Sequence, residues 1–204
     1  MQLSSWSKKL MDVLAWKLRA TSATQLGRSS NIPRELVVRR LKRLKDMQLV
    51  ELSQTAVHDW QLSGRLLAWP SDTWAVDMQK VPWQLEKRWD SLQCRRETVA
   101  WISSNGVRMF GGFGGRLRQR LQLQHDLGVA ATYFSFSRKR RTRWVGEDHF
   151  RSEPDSRALR RLPDAVLRWS KRITAIEFGG RYDKNKLLRF DREMKRKGVR
   201  YEIY

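Results

Sequence analysis

Two short apolar segments near the C-terminus each carry one carboxylate, and this pair restricts the fold more than any other feature of the chain. Residues 162–167 contain Asp164, and residues 173–180 contain Glu177. Short apolar runs bounded by turn residues predict β-strands. Because carboxylate oxygens are the ligands that Mg²⁺ prefers in proteins, Asp164 and Glu177 are candidate metal ligands.

The charge of the chain indicates a polyanionic partner. Its 204 residues include 42 lysines and arginines but only 21 aspartates and glutamates, which gives a net charge of +21. Such a field attracts nucleic acid first and an anionic membrane surface second. No apolar run approaches the ~20 residues of a membrane span, so we expect a cytoplasmic, nucleoid-associated protein that is not embedded in a membrane. The single cysteine, Cys94, excludes an internal disulfide.

The first 64 residues predict three helices followed by two strands. Apolar residues recur at helical spacing over residues 10–18, behind Ser4 as a possible N-cap. Residues 24–28 predict a short second helix, and Pro33 marks the start of a third. Strands are expected at residues 49–52 and 59–62, joined by a polar loop over residues 53–58.

Basic residues lie on or near the outer face of the third helix, whereas Val37, Leu41 and Leu44 form its inner face. Over residues 4–64 this pattern resembles the winged helix-turn-helix family of bacterial regulators, with residues 53–58 as the wing. One α-helix fits the major groove of DNA, and flanking cations neutralise phosphates. The candidate DNA-binding residues of this domain are Arg28, Arg34, Arg39, Lys42, Arg43 and His58.

The middle of the chain predicts a connector and a hairpin. Residues 65–96 combine tryptophans, Trp74 among them, with prolines, which favours an ordered segment. Its tryptophans either pack between domains or stack on unpaired bases. Apolar runs at 98–102 and 107–110 flank Asn105-Gly106, a pair typical of a β-hairpin turn. The glycine-rich residues 111–115 predict a turn before a helix over residues 116–134.

Residues 97–204 predict a second, α/β domain, so that the whole chain belongs to the α+β class. After the helix at 116–134, a basic loop at 138–143 supplies further candidate DNA contacts, namely Arg138, Lys139, Arg140, Arg141 and Arg143. A strand at 144–147, the two acidic strands, a helix at 186–194 and a strand at 199–204 follow. Helix, three strands, helix, strand is the order that this segment shares with the PD-(D/E)xK nucleases, the restriction-endonuclease-like fold.

The whole chain also resembles the replication-relaxation family of plasmids and other mobile elements. The similar motifs are His125-Asp126-Leu127, Trp144 with Glu147, Arg161-Leu162-Pro163-Asp164-Ala165, Ile176-Glu177, and residues 186–190. The resemblance implies a winged helix followed by a degenerate nuclease-like domain. It also implies a DNA-associated role in the replication, transfer or transcription of a mobile element.

The chain departs from active nucleases at one position and from its apparent relatives at another. Gly179 stands two residues after Glu177, where those nucleases have a lysine, and Phe190 stands where a tyrosine is common. We therefore expect a regulator or accessory factor that binds double-stranded DNA without a cofactor, with a homodimer as a candidate assembly. One alternative is a Mg²⁺-dependent endonuclease, with Glu147, Asp164 and Glu177 as its acids and Lys184 or Lys186 as a migrated lysine. A third interpretation of the sequence is an RNA-binding module.

Overall fold

A computed structural model describes residues 2–62, 64–70, 80–113, 120–170, 172–180 and 184–204. Its helices are α1 (Ser5–Trp16), α2 (Ala23–Ser30), α3 (Arg34–Asp46), α4 (Val81–Asp90), α5 (Ser104–Phe110), α6 (Arg120–Ser135), α7 (Arg138–Thr142), α8 (Glu147–Ser152) and α9 (Lys184–Arg196), with a 3-10 helix at Pro154–Ala158. Its strands are β1 (Thr21–Ser22), β2 (Val50–His58), β3 (Leu67–Trp69), β4 (Cys94–Ile102), β5 (Trp144–Gly146), β6 (Ala165–Trp169), β7 (Arg172–Glu177) and β8 (Arg200–Ile203). The α+β class is confirmed.

The chain forms two compact units, each built from two separate segments. Unit 1 comprises residues 1–59 and 94–134, and unit 2 comprises residues 60–93 and 135–204. The sequence instead predicts consecutive domains over 1–64 and 97–204 with a connector between them. Residues 60–93 are therefore part of the second unit, and Trp74 of the expected connector lies outside the described residues.

The helices of unit 1 begin and end at capping residues that the sequence supplies. The Ser4 side chain accepts a hydrogen bond from Ser7 N at the start of α1. Ser22 and Gln25 form a reciprocal capping box at the start of α2, which ends at Asn31 in the left-handed conformation. Helix α3 follows Pro33, and the three predicted helices are confirmed in position.

A three-stranded antiparallel sheet of order β1-β4-β2 completes unit 1 together with α5 and α6. Strands β2 and β4 pair along their whole length, from Val50 opposite Ile102 to His58 opposite Cys94. The core contains the inner faces of α1 and α3 and residues of both long strands; its members include Met11, Leu14, Val37, Leu41, Leu44, Val50 and Ile102.

Two local predictions in unit 1 are wrong. Residues 53–58 are not a wing loop but the second half of β2, and residues 59–62 are not a strand, because β2 finds its partner at residues 94–102. Asn105-Gly106 does not turn a hairpin, since the Ser103 side chain accepts a hydrogen bond from Gly106 N and starts α5. A Cβ on Gly106 would lie 2.3 Å from the carbonyl oxygen of Leu49, so this glycine allows close packing.

Unit 2 contains a five-stranded sheet of order β3-β8-β7-β6-β5. Helix α9 connects the parallel pair β7 and β8, and the other neighbours are antiparallel. The apolar face of α9 and Leu85 of α4 belong to the core of this unit, whose buried members include Phe150, Val166, Ala175, Leu187, Phe190, Met194 and Tyr201. The expected strands and helix after residue 144 are confirmed in order.

Two boundaries in the second half differ from the prediction. The basic residues 138–143 are not a loop: residues 138–142 form the short helix α7, because the Ser137 side chain caps it by accepting from Arg140 N. Glu147 does not end a strand but begins α8. Residues 114–119, which include the predicted helix start at 116, lie outside the described residues. No described helix is long and apolar enough to cross a membrane.

Candidate functional site

Helix α3 presents three basic side chains to solvent on one side. Arg39, Lys42 and Arg43 are exposed, and their spacing places them within one turn of each other. The opposite face is buried through Val37 and Leu41. Within the described residues, none of the three cations forms an ion pair. Their charges are available to an external anion.

Two other predicted contacts of unit 1, Arg28 and Arg34, are engaged inside the protein. Arg28 binds Asp59 through both terminal nitrogens, at 2.7 and 2.9 Å. This hydrogen bonding to Asp59 raises the pKa of Arg28 above its ordinary value. Arg34 Nη2 lies 3.1 Å from Oε1 of Glu97. Both side chains therefore hold the fold of unit 1 together, which leaves Arg39, Lys42 and Arg43 as the stronger DNA-binding candidates.

Glu97 is a residue that the sequence analysis missed, and its buried carboxylate holds neighbouring elements of unit 1 in position. Only 1% of this residue is exposed. It accepts from the hydroxyl of Thr24, from Thr98 N at 2.8 Å and from Arg34, so it links α2, β4 and the first turn of α3. The available signal was an acidic residue within the sequence of a buried strand. Its partners Thr24 and Arg34 are distant in sequence, so the pattern does not identify them.

His58 occupies the last paired position of β2 instead of a wing loop. The residue is half-buried, and its backbone N–H donates to Oε1 of Gln124 at 3.0 Å. Its strand partner Cys94 is exposed. The structure therefore places His58 in the strand ladder opposite Cys94 instead of in a wing loop.

The basic residues of the segment 138–143 divide into exposed side chains and side chains that contact other residues. Arg138 and Lys139 are exposed. Arg140 donates to Glu202 at 2.6 Å, and the guanidinium of Arg143 lies 4.0 Å from the ring centre of Trp169. Arg141 is half-buried. Arg138 and Lys139 thus remain the accessible candidates of this run.

The three acids predicted for a nuclease site occur in one row at one end of the sheet of unit 2. Gly146, Ala165 and Ile176 are paired across β5, β6 and β7, and Glu147, Asp164 and Glu177 are the next positions along these strands. Glu147 N donates to the carbonyl of Asp164 at 3.1 Å. The backbone therefore brings the three residues together as the paired strands require.

Their carboxylates, however, have separate partners. Asp164 Oδ2 accepts from Phe178 N at 2.7 Å, Glu147 binds Arg151 at 2.5 Å, and Arg161 Nη2 lies 3.4 Å from Glu177. Among the described residues no group of three potential ligands is arranged to hold a metal. The guanidinium of Arg161 lies beside Glu177, which is only 2% exposed, and offsets its negative charge. Lys184 and Lys186 lie in the first turn of α9, exposed and half-buried respectively.

Helix α4 occupies the space next to Gly179, the position at which active nucleases of the PD-(D/E)xK type have a lysine. A Cβ on Gly179 would lie 2.3 Å from Cδ2 and 2.9 Å from Cγ of Leu85, which is itself buried. Arg88 of the same helix donates to the carbonyls of Gly179 at 3.0 Å and Tyr204 at 2.9 Å. Burial lowers the pKa of Arg88 to about 10. The end of the sheet is thus covered by a helix that the sequence assigns to a connector.

Comparison of the chain with protein-family models, with curated proteins and with solved structures finds no match.

Proposed function

We propose that this protein is a sequence-directed duplex-DNA-binding factor that regulates or assists the replication, transfer or transcription of a mobile element. The observation that carries the proposal is the outer face of α3, where Arg39, Lys42 and Arg43 are exposed and without ion pairs among the described residues. A helix of this kind can enter the major groove, and its cations can contact base edges or the phosphates beside them.

The arrangement of unit 1 supports a winged helix-turn-helix. Helices α2 and α3 follow each other across a short turn, and strands β2 and β4 form the long antiparallel pair that comes after α3. In this interpretation, residues 60–93 stand where a wing loop would connect the two strands. The net charge of +21 adds a general attraction to the DNA backbone.

The test is to remove two charges from α3 and measure DNA binding. Arg39→Ala with Lys42→Ala should weaken binding by about 1–3 kcal/mol if a base contact is lost. Random-sequence duplexes selected by the parent protein provide the probe, and fluorescence anisotropy gives the affinity at several salt concentrations. Parent affinity should fall steeply with salt, and the slope of log K against log salt should fall by about 1 for each phosphate contact removed.

Lys8→Ala with Lys9→Ala is the matched control, because both residues are exposed on α1 and their substitution removes the same charge from the same unit. This control should bind nearly as tightly as the parent. Equal affinity of the α3 variant and the parent would show that α3 is not the reader, and an equal loss in both variants would show that only total charge matters.

We further propose that unit 2 is a nuclease-like domain without catalytic activity. In a working site a lysine stabilises the charge that develops in the transition state, and the loss of one such contact costs ~10²–10³-fold in rate. Gly179 supplies no cation, and Leu85 fills the space above it. Incubation with supercoiled and linear DNA in Mg²⁺ or Mn²⁺ should leave both intact. Cleavage that Asp164→Ala and Glu177→Ala abolish would refute this proposal and assign the lysine role to Lys184 or Lys186.

A further inference from the structure

A cationic groove crosses the end of the unit 2 sheet that lies opposite the carboxylate row. Arg172 begins β7 and Arg200 begins β8, whereas Glu177 ends β7. Two adjoining cavities of about 450 and 430 Å³ share Arg172, Ile173 and Val199 in their walls. The first cavity includes Asp155 and Ala158 of the 3-10 helix in its wall, and the second includes Trp69 of β3.

The cations of this groove are not neutralised from within. Arg172, Lys197 and Arg200 are exposed, and none of them forms an ion pair with a described residue. The carboxylate of Asp155 also lines the groove, but it is bound to Arg168 at 3.0 Å. The groove therefore has a net positive charge and concave walls, which concentrate field lines on a bound anion.

An aromatic side chain forms one wall. Trp69 lines the second cavity and is half-buried, and its ring is nearly parallel to that of Tyr201, with a centroid separation of 6.2 Å and an interplanar angle of 17°. Trp69 also packs against the buried core of unit 2. An aromatic ring beside a row of cations is the combination that binds single strands, since phosphates follow the charges and a base stacks on the ring.

We propose that this groove binds single-stranded nucleic acid. An unpaired strand can place a base against Trp69, whereas a duplex has its bases turned inward and offers none to this ring. This site is separate from the outer face of α3 and does not depend on the proposed function. A protein with both sites holds duplex DNA on one unit and an unpaired strand on the other.

The test compares strand and duplex binding in three proteins. The probe is a labelled oligothymidylate of about 12 nucleotides, within the usual site size of such grooves. The groove variant is Arg172→Gln, Lys197→Gln, Arg200→Gln. The control variant is Lys80→Gln, Arg189→Gln, Arg192→Gln, which removes the same charge from exposed positions of unit 2 outside the cavities. Each substitution is at an exposed residue, and circular dichroism checks that the folds match.

The groove variant should bind the oligothymidylate at least about tenfold more weakly, and its salt slope should fall by about 2, or ~0.7 for each of three phosphates. The control variant should lose much less, and Arg39→Ala with Lys42→Ala should leave strand binding unchanged. Equal losses in the groove and control variants, or no loss in either, would overturn the proposal. Failure of duplex binding with intact strand binding would refute the proposed function alone.

Two further measurements separate a strand from other anions. Irradiation of the parent protein with a 5-iodouracil-substituted strand should crosslink the peptide that contains Trp69, and Trp69→Leu should weaken strand binding about fivefold or more. Tripolyphosphate at equal phosphate concentration should compete poorly. Crosslinks confined to other peptides, or equal competition by tripolyphosphate or by phosphatidylserine vesicles, would overturn base stacking in this groove.

Discussion

Gly179 and Leu85 should be energetically coupled, because the smallest side chain added at residue 179 would collide with α4. A Cβ there would lie 2.3 and 2.5 Å from the two Leu85 methyl carbons, far inside van der Waals contact. Leu85 is 1% exposed, so its methyl groups have little room to move. Overpacking of this kind typically costs about 1–3 kcal/mol, and we expect Gly179→Ala to lower the free energy of unfolding by this amount.

Leu85→Ala removes the three atoms that the new Cβ would meet. Alone it should cost about 2–5 kcal/mol through lost burial and the cavity left behind. In the double variant the alanine at residue 179 no longer collides, so the double variant should be about 1–3 kcal/mol more stable than the sum of the single effects. Urea titration followed by tryptophan fluorescence is suitable, since Trp60 packs 4.8 Å from the ring of Phe178.

The control pair is Leu85→Ala with Gly198→Ala. A Cβ on Gly198 meets no heavy atom within 4 Å, so its backbone cost, at φ +63°, should simply add to that of Leu85→Ala. Additivity within about 0.5 kcal/mol for the Gly179 pair as well would refute the conclusion that α4 excludes a side chain at residue 179. The same result would remove the steric support for catalytic silence.

Two further expectations concern stability. Glu97→Ala should lower the free energy of unfolding by about 1–3 kcal/mol, because Thr24 and Thr98 N lose their buried acceptor. The control, Glu51→Ala, is at an exposed site and should have little effect on stability. Equal urea midpoints for the two variants would contradict this prediction. Burial, together with hydrogen bonds to Asp191 and Glu202 respectively, raises the pKa values of Tyr201 and Tyr204 above 10. The folded state therefore holds these protons more tightly than the unfolded state. The free energy of unfolding should fall as the pH rises above about 10. The lowered pKa of Arg88 acts in the opposite direction, and Tyr204→Phe should make the decline between about pH 9 and 11 shallower in urea titrations; an unchanged decline would contradict it.

The sequence alone determined the features that depend on neighbouring residues. Helices α1 to α3 and α9 were predictable because apolar spacing and caps such as Ser4, Ser22 and Pro33 act within a few residues. Strand β6, which begins directly after Asp164, and strand β7, which ends at Glu177, were predictable for the same reason, and their antiparallel pairing brings the two acids into one row. The net charge needed no structure at all.

Only the tertiary structure decided which distant segments meet. Strand β2 could have turned back within the wing loop, but its nine residues find their pairing partners in β4, about forty residues further on, and two-residue periodicity cannot choose between such partners. The same limit applies to charges: Arg28 and Arg39 look alike in sequence, yet Arg28 binds Asp59, whereas Arg39 forms no ion pair with a described residue. In the sequence, Gly179 is notable only because active nucleases have a lysine at this position. The packing of Leu85 against it shows that a side chain at this position would displace a helix, since close packing depends on atoms that folding brings together from remote parts of the chain.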